Sequence, residues 1–139
     1  MGDVVLKKLK EYFKNSNYPF VLLFGSYANS KESYLSDIDI AIYSDKELSL
    51  IDIGLIIYEL EGLLDKKIDL IVLNDLYKKN PKLSYNIVAN HKIVTLKSKS
   101  DYADFKYNSY RYYFDTKPLY NLFDRALLKR IDDGSYGKI

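Results

Sequence analysis

Two short runs near the start of the chain have the hydrophobic patterns of β-strands. Residues 18–24 form an apolar run that stops at Gly25, which predicts a buried strand leading into a tight turn. Residues 37–43 alternate strictly, so Asp37 and Asp39 fall on one side of the predicted strand and three isoleucines fall on the other. The two carboxylates are therefore expected to point the same way.

The remaining pattern predicts helices around a small sheet. A first helix is expected over residues 3–15. Ser49 opens a second helix, whose three- and four-residue spacing predicts a stripe facing the core: Leu50, Ile53, Ile57, Leu60 and Leu64. Residues 67–73 predict a third strand, which the second helix would join to the second strand by a right-handed crossover if the two are parallel. Residues 92–96 predict a short fourth strand, and residues 100–133 a helical, aromatic C-terminal segment. We therefore predict an α/β (α+β) fold, a small mixed β-sheet of three to four strands with helices packed on it.

The acids of the predicted strands suggest a metal site. At about 3.3 Å per residue, the Cα atoms of Asp37 and Asp39 lie about 6.6 Å apart, and two charges at that separation repel by about 2 to 3 kcal/mol at an effective dielectric near 20. Asp69 is the single acid of the third predicted strand, and pairing of the two strands would bring it to the same face. Three carboxylates could hold two Mg²⁺ ions about 3.5 to 4 Å apart. The simpler alternative is a solvated strand end, with Asp69 paired to Lys66 or Lys67.

The turn that precedes these acids has the composition of an anion site. Gly25 ends the first predicted strand, and Ser26 is placed as the N-cap of a helical turn. Backbone N–H groups at such a start point outward and favour phosphate. A phosphate turn beside metal-binding carboxylates predicts nucleotidyl transfer.

These residues resemble the minimal nucleotidyltransferases of the DNA polymerase beta superfamily. The family pattern is Gly-Ser-x-Ala-Arg-Gly, five residues, then Ser-Asp-x-Asp. Residues 25–30 read Gly-Ser-Tyr-Ala-Asn-Ser and residues 36–39 read Ser-Asp-Ile-Asp, with the same spacing between them. Asn29 and Ser30 stand where the family has Arg and Gly, so one basic contact to the triphosphate is missing. Lys31 is the nearest candidate to replace it.

The resemblance implies a nucleotidyltransferase fold, similar to the palm of polymerase beta, and a role for each motif residue. It implies nucleotide-binding roles for Gly25, Ser26 and Ser36. It implies catalytic and metal-binding roles for Asp37, Asp39 and Asp69. The third of these acids would also help to deprotonate the acceptor hydroxyl. The implied cofactor is Mg²⁺, as two ions, and the implied substrate is ATP.

The C-terminal part of the chain resembles the antitoxins of HEPN/MNT toxin–antitoxin pairs. The similarity lies in the small size, the aromatic helical stretch and the segment Tyr113-Phe114-Asp115-Thr116-Lys117-Pro118-Leu119. It implies transfer of AMP from ATP to a tyrosine of a partner HEPN ribonuclease, which silences that toxin. Two alternatives stay open at this point: an antitoxin that binds its toxin by contact alone, and a nucleotidyltransferase that acts on a small molecule.

Composition narrows the remaining classes. A chain of 139 residues that is 47% hydrophobic fits one domain spanning residues 1–139. A net charge of +2 is too small to predict nucleic-acid binding, and the absence of cysteine excludes disulfides and thiolate metal sites. No signal peptide or membrane span is recognisable, so we expect a cytoplasmic protein that contacts no membrane. The single histidine, His91, is expected in a surface turn.

Overall fold

A computed structural model of the protein describes residues 2–33 and 35–115. Its sheet has four strands: β1 (Phe20–Phe24), β2 (Ile38–Tyr43), β3 (Ile68–Val72) and β4 (His91–Leu96). Its helices are α1 (Gly2–Phe13), α2 (Leu50–Leu64), α3 (Leu76–Lys79), α4 (Pro81–Ala89) and α5 (Lys99–Phe114). The predicted α/β class and the short fourth strand are confirmed. Helix α5 covers the first part of the predicted C-terminal segment, and residues 116–133 of that prediction lie outside the described residues.

The strands form a mixed sheet in the order β3-β2-β1-β4. Strand β1 pairs antiparallel with both β2 and β4, and β3 pairs parallel with β2 after the crossover through α2. The C-terminal end of β1 therefore lies beside the N-terminal ends of β2 and β3. This end of the sheet therefore brings together the turn at Gly25, which follows β1, and the acids Asp39 and Asp69 at the starts of β2 and β3.

Each face of the sheet carries its own apolar cluster. One face packs against α1 and α2, with the buried residues Val5, Leu9, Phe13, Val21, Leu23, Ile38, Ile40, Ile42, Ile56, Leu60, Ile68 and Val94. The other face packs against α3, α4 and α5, with the buried residues Phe20, Leu22, Ala41, Leu73, Leu76, Ile87, Val88 and Phe105. Because side chains alternate along a strand, Asp39 lies on the same face as Ala41. The predicted site thus belongs to the face that α3, α4 and α5 cover further along the strands.

Helix α2 is turned differently from the prediction. It begins at a capping box between Ser49 and Asp52, and its two buried residues are Ile56 and Leu60. Of the predicted core stripe, Leu60 is buried and Ile53, Ile57 and Leu64 are half-buried. Leu50 is 87% exposed, so its assignment to the core was wrong. The helix is apolar on more than one side, and periodicity alone could not tell which side meets the sheet.

Helices α4 and α5 are tied together by polar contacts under the aromatic residues. The hydroxyls of Ser84 and Ser109 share a fully buried hydrogen bond of 2.6 Å. The ring of His91 lies 3.0 Å from the carbonyl of Ile87 through Nδ1 and 2.7 Å from the hydroxyl of Tyr102 through Nε2. The expected surface turn at His91 was therefore wrong, because this residue starts β4 and fastens the end of α4 to α5.

Candidate active site

Strand pairing places two acids of the motif side by side. Asp39 in β2 is the direct partner of Asp69 in the parallel strand β3. Directly paired residues point to the same face of a sheet, with Cα atoms about 4.8 Å apart. The predicted strand over residues 37–43 begins at Ile38, so Asp37 lies in the loop just before it. The structure therefore brings Asp39 and Asp69 together and holds Asp37 at the entrance to β2.

The pKa of Asp39 is raised by its surroundings. Its partial burial, the charges of Asp69 and Asp37, and a hydrogen bond with Asp69 together raise the pKa of Asp39 from 3.8 to about 6. The charged groups that raise this pKa are both acids, and like charges favour the neutral form of a carboxyl. A divalent cation would remove this repulsion, because it neutralises both carboxylates at once.

The turn after β1 is built around Gly25. Its φ of +74° lies in the left-handed region, and a Cβ at this position would overlap the carboxylate oxygen Oδ2 of Asp39. The partner of Asp39 across β1 is Phe24, the residue just before this glycine. The absence of a side chain at Gly25 therefore leaves the space that the carboxylate of Asp39 occupies beside the turn. The motif spacing indicated that the turn at Gly25 and Asp39 belong to one site. The strand register then places them side by side.

The conformation of the predicted phosphate turn differs from the expected helix start. Residues Gly25–Tyr27 form a single 3₁₀ turn whose cap position is Phe24, so the placement of Ser26 as an N-cap was wrong. The carbonyl of Gly25 accepts hydrogen bonds from the N–H groups of Ala28 and Asn29, and the carbonyl of Ser26 accepts one from Lys31. The turn is thus held by its own backbone, and a phosphate role for Gly25 and Ser26 remains a prediction.

Two serines shape the loop that leads into β2. The hydroxyl of Ser36 accepts a hydrogen bond of 2.8 Å from the backbone N–H of Ser33, and the N–H of Ser36 donates to the Ser33 carbonyl at 3.0 Å. These bonds fix the backbone immediately before Asp37. A contact between Ser36 and a nucleotide remains a prediction, and the local effect of this residue is to orient the first acid of the motif.

The donor atoms at this site suit a hard divalent cation. Asp39 and Asp69 present carboxylate oxygens, the ligands that Mg²⁺ prefers. Within residues 2–33 and 35–115, no group of three His, Cys, Asp or Glu side chains is spaced to hold a metal ion. Asp39 and Asp69 form a facing pair of carboxylates across the two parallel strands. The pair fits the cation chemically, and the predicted role of Asp37 as a further ligand remains a prediction.

Comparison with known proteins places this site in a family. Residues 7–100 match the family model described as "Polymerase beta, Nucleotidyltransferase". The chain belongs to this family. The match includes the turn at Gly25 and all three acids, so the expectation drawn from the Gly-Ser and Asp-x-Asp motifs is confirmed at the level of the family.

One curated relative of this nucleotidyltransferase is an archaeal protein from Methanocaldococcus jannaschii, MJ0435, which is named as a candidate protein adenylyltransferase. The two sequences are 38% identical over 55 residues, which is 40% of this chain. The matched segment spans 59% of the relative's length.

Solved structures similar to this nucleotidyltransferase come from toxin–antitoxin complexes. A chain of a complex with AMP-PNP has a TM-score of 0.63 and 22% identity, covering 96% of this chain and 98% of its own. A chain of the complex between a tri-AMPylated HEPN toxin and an MNT antitoxin of Shewanella oneidensis has a TM-score of 0.60, also with 22% identity and the same coverage. At this level of identity, the likeness establishes the shared fold. In the part of the chain that the structure describes, no helix is long and apolar enough to cross a bilayer.

Proposed function

We propose that this chain is a Mg²⁺-dependent nucleotidyltransferase that moves AMP from ATP onto a tyrosine hydroxyl of a HEPN-type ribonuclease toxin and thereby acts as an antitoxin. The observation that carries the proposal is the pairing of Asp39 with Asp69 across parallel strands, against the turn at Gly25. A carboxylate pair beside a turn of this kind is the arrangement that phosphoryl-group chemistry requires.

The proposed reaction exchanges one bond at the α-phosphorus of ATP. The tyrosine oxygen forms a bond to that phosphorus, the bond to the β-phosphate oxygen breaks, and pyrophosphate leaves. The hydroxyl proton passes to a carboxylate, and Asp69 is the exposed member of the pair that a partner's hydroxyl can reach. Most of the rate enhancement comes from positioning, because little covalent chemistry falls to the protein itself.

In this proposal, different residues bind the metal ion and the triphosphate. Asp39, Asp69 and Asp37 would hold Mg²⁺, which when bound neutralises phosphate charge. Gly25 and Ser26 would hold the triphosphate on the β1 side of the acids. The related structure with AMP-PNP supports ATP as the nucleotide, and the tri-AMPylated HEPN toxin beside an MNT antitoxin supports a protein acceptor. The name of the Methanocaldococcus jannaschii relative supports the same chemistry.

A second function, neutralisation of the toxin by contact alone, is favoured by one feature of the motif. Ser30 occupies a position with φ +56°, where the family pattern has Gly, and Asn29 replaces the family's Arg. Replacement of this glycine and arginine is expected in a site that has lost its catalytic activity. The raised pKa of Asp39 favours a catalytic site instead, because a partly buried carboxyl beside two other acids destabilises the fold and is nevertheless present.

The two functions are separated by transfer of labelled adenylate from ATP to the HEPN-type protein encoded beside this chain. We expect the wild-type chain to label this partner in the presence of Mg²⁺ and to lose the activity with EDTA. The Asp39→Asn variant should reduce labelling by at least about a hundredfold. The matched control is Asp104→Asn, the same change at an exposed position of α5, which should retain wild-type labelling. Protection of cells by Asp39→Asn at wild-type level would instead support the contact mechanism.

A further inference from the structure

The row of side chains that contains the acids continues across the next two strands of the sheet. Asp69 pairs with Asp39, and Asp39 pairs with Phe24 of β1. Phe24 pairs in turn with His91 of β4. Directly paired residues point to the same face of a sheet, so these four side chains form one row on the face of Asp39. Two of them, Phe24 and His91, have no part in the reaction proposed above.

Phe24 is a half-buried aromatic residue beside the acids. It packs against the apolar cluster under α3, α4 and α5, which also contains Ala41 of β2. Asp39 lies on the same face as Ala41, so packing and strand register agree on the position of Phe24. Phe24 is also the last residue of β1, directly before the turn at Gly25. Its ring therefore borders both the acids and this turn, with part of its surface open to solvent.

His91 brings the hydroxyl of Tyr102 to the end of this row. Nδ1 of His91 lies 3.0 Å from the carbonyl oxygens of both Ile87 and Val88, a position that requires a hydrogen on this nitrogen. Burial lowers the pKa of His91, so at pH 7 the ring is mostly neutral and carries its hydrogen on Nδ1. Nε2 must then accept, and the hydroxyl of Tyr102, 2.7 Å away, donates to it.

This bond decides what the hydroxyl of Tyr102 can still bind. A phenol group has one hydrogen to donate and two lone pairs that accept. Because the hydrogen is used by His91, the oxygen of Tyr102 can only accept further hydrogen bonds. A ligand that meets this oxygen must therefore present an N–H or O–H group, and a ligand that presents an acceptor is repelled.

The ring of Tyr102 already has neighbours of its own. The ammonium group of Lys106 lies over it, 5.0 Å from the ring centre, and the ring of Phe20 meets it edge to face at 5.4 Å. A ligand at this end of the row therefore finds the oxygen of Tyr102, and the aromatic ring next to the acids is that of Phe24.

The proposed reaction leaves the side of β4 for the nucleoside of ATP. Asp69 lies on the edge strand β3 and is the exposed acid assigned to the acceptor hydroxyl. A nucleoside on that side would block the acceptor, so it extends from Asp39 across β1 instead. Strands lie about 4.8 Å apart, which puts His91 about 9.6 Å from Asp39 along the row. The adenosine part of a nucleotide spans a similar length.

The two side chains on this side suit adenine in particular. Bases stack on aromatic rings whatever their identity, which gives Phe24 an affinity for any base. The edge of the base distinguishes adenine from guanine, because adenine carries the amine N6–H₂ where guanine carries the acceptor O6. The oxygen of Tyr102 accepts from that amine and repels O6.

We propose that Phe24 and Tyr102 form the adenine subsite of this nucleotidyltransferase, in which the base lies on the ring of Phe24 and its amine donates to the hydroxyl oxygen of Tyr102. This inference rests on the proposed function and adds the means by which the site selects ATP over GTP. If these residues served packing alone, their replacement would change stability and leave the choice of ligand unaffected.

The test measures the affinity of the chain for three ligands by calorimetry, each with Mg²⁺: AMP-PNP, GMP-PNP and inorganic tripolyphosphate. We expect the wild type to bind AMP-PNP at least about fivefold more tightly than GMP-PNP. Phe24→Leu should weaken AMP-PNP by at least about fivefold. Its affinity for tripolyphosphate should stay within about twofold of wild type, because that ligand has no base.

A second variant, Tyr102→Phe, keeps the ring and removes the oxygen. It should reduce the preference for AMP-PNP over GMP-PNP by at least about threefold. The matched control is Tyr107→Phe, the same change at an exposed position of α5, which should keep the wild-type preference. Circular dichroism at the assay temperature checks that each variant is folded, and Tyr102→Phe decides the question if Phe24→Leu is not.

Three results would overturn the inference: wild-type affinity of Phe24→Leu for AMP-PNP, an equal loss of AMP-PNP and tripolyphosphate in that variant, or an unchanged nucleotide preference in Tyr102→Phe. The proposed function is judged separately. A wild-type chain that shows the expected ligand pattern but labels no partner would reject the proposed function alone. Wild-type labelling together with any of the three results would reject the adenine subsite alone, and a wild-type chain that binds neither nucleotide would reject both.

Discussion

The burial of Asp39 and the acids around it predict that the ionised site weakens the metal-free protein at neutral pH. The pKa of Asp39 is raised to about 6 in the folded chain from 3.8, so the folded state binds the proton more tightly than the unfolded state does. The resulting stabilisation is complete below about pH 3.8 and is lost as the pH rises through about 6. Replacing the carboxyl with the neutral amide in Asp39→Asn should therefore stabilise the chain at pH 7.5 in the absence of metal.

The magnitude follows from the shift and from the exposure of the residue. A shift of about two pKa units corresponds to at most about 3 kcal/mol. Asp39 is only partly buried, and screening by solvent reduces that figure to about 1 kcal/mol. For a domain of this size, 1 kcal/mol moves the melting temperature by roughly 3 to 6 °C. At pH 4, where the folded carboxyl is largely protonated, the difference between variant and wild type should shrink towards zero.

Thermal unfolding in EDTA, followed by circular dichroism at pH 4 and pH 7.5, measures this difference. A second series with Mg²⁺ at pH 7.5 should raise the melting temperature of the wild type but not that of Asp39→Asn, because the ion binds the folded carboxylates. Asp104→Asn serves as the control for loss of one exposed charge. A variant less stable than wild type at pH 7.5 in EDTA, or a difference that does not depend on pH, would refute the electrostatic account of the site.

Three further predictions concern the backbone and the core. Gly25→Ala should destabilise the chain by about 2 to 3 kcal/mol and lower AMP transfer by about a hundredfold, because its Cβ would displace Asp39 from a turn with positive φ; chemical unfolding and labelling kinetics measure the two effects. Ser30→Gly should raise the free energy of unfolding by about 0.5 to 1 kcal/mol, because glycine adopts the φ of +56° without strain; an unchanged or lower value contradicts this. Ser109→Ala should cost about 1 to 3 kcal/mol by leaving the buried Ser84 hydroxyl unpaired; the double Ser→Ala variant should lose less than the sum of the single changes in a double-mutant cycle.

Much of the fold could be predicted from the sequence, because the strands have simple patterns. Strict alternation over residues 37–43 and the apolar run over residues 67–73 located β2 and β3 to within one residue. The fixed period of two along a strand predicted one face for Asp37 and Asp39, but β2 begins at Ile38 and Asp37 lies in the loop before it. The pairing of Asp39 with Asp69 was a conditional prediction, and the parallel register of β2 and β3 confirms it.

The parts that could not be predicted depend on contacts between distant segments. Helix α2 has apolar residues on several sides, so only its packing on the sheet decides that Ile56 is buried and Leu50 is exposed. The role of His91 depends on carbonyls of α4 and on Tyr102 of α5, and no local pattern indicates those partners. The conformation at Gly25 is set by Asp39 across the sheet, so the turn became a 3₁₀ turn where local composition predicted a helix start.

Adenylyl transfer by the site at Asp39 and Asp69 is tested most directly by the intact mass of the HEPN-type partner, purified after co-expression with this chain. Co-expression with the wild type should add the mass of one or more AMP units to the partner, and fragmentation should place each unit on a tyrosine. Co-expression with Asp39→Asn should leave the mass of the partner unchanged. An unmodified partner from wild-type cells, or the same added mass with Asp39→Asn, would contradict the assignment of these paired acids to adenylyl transfer.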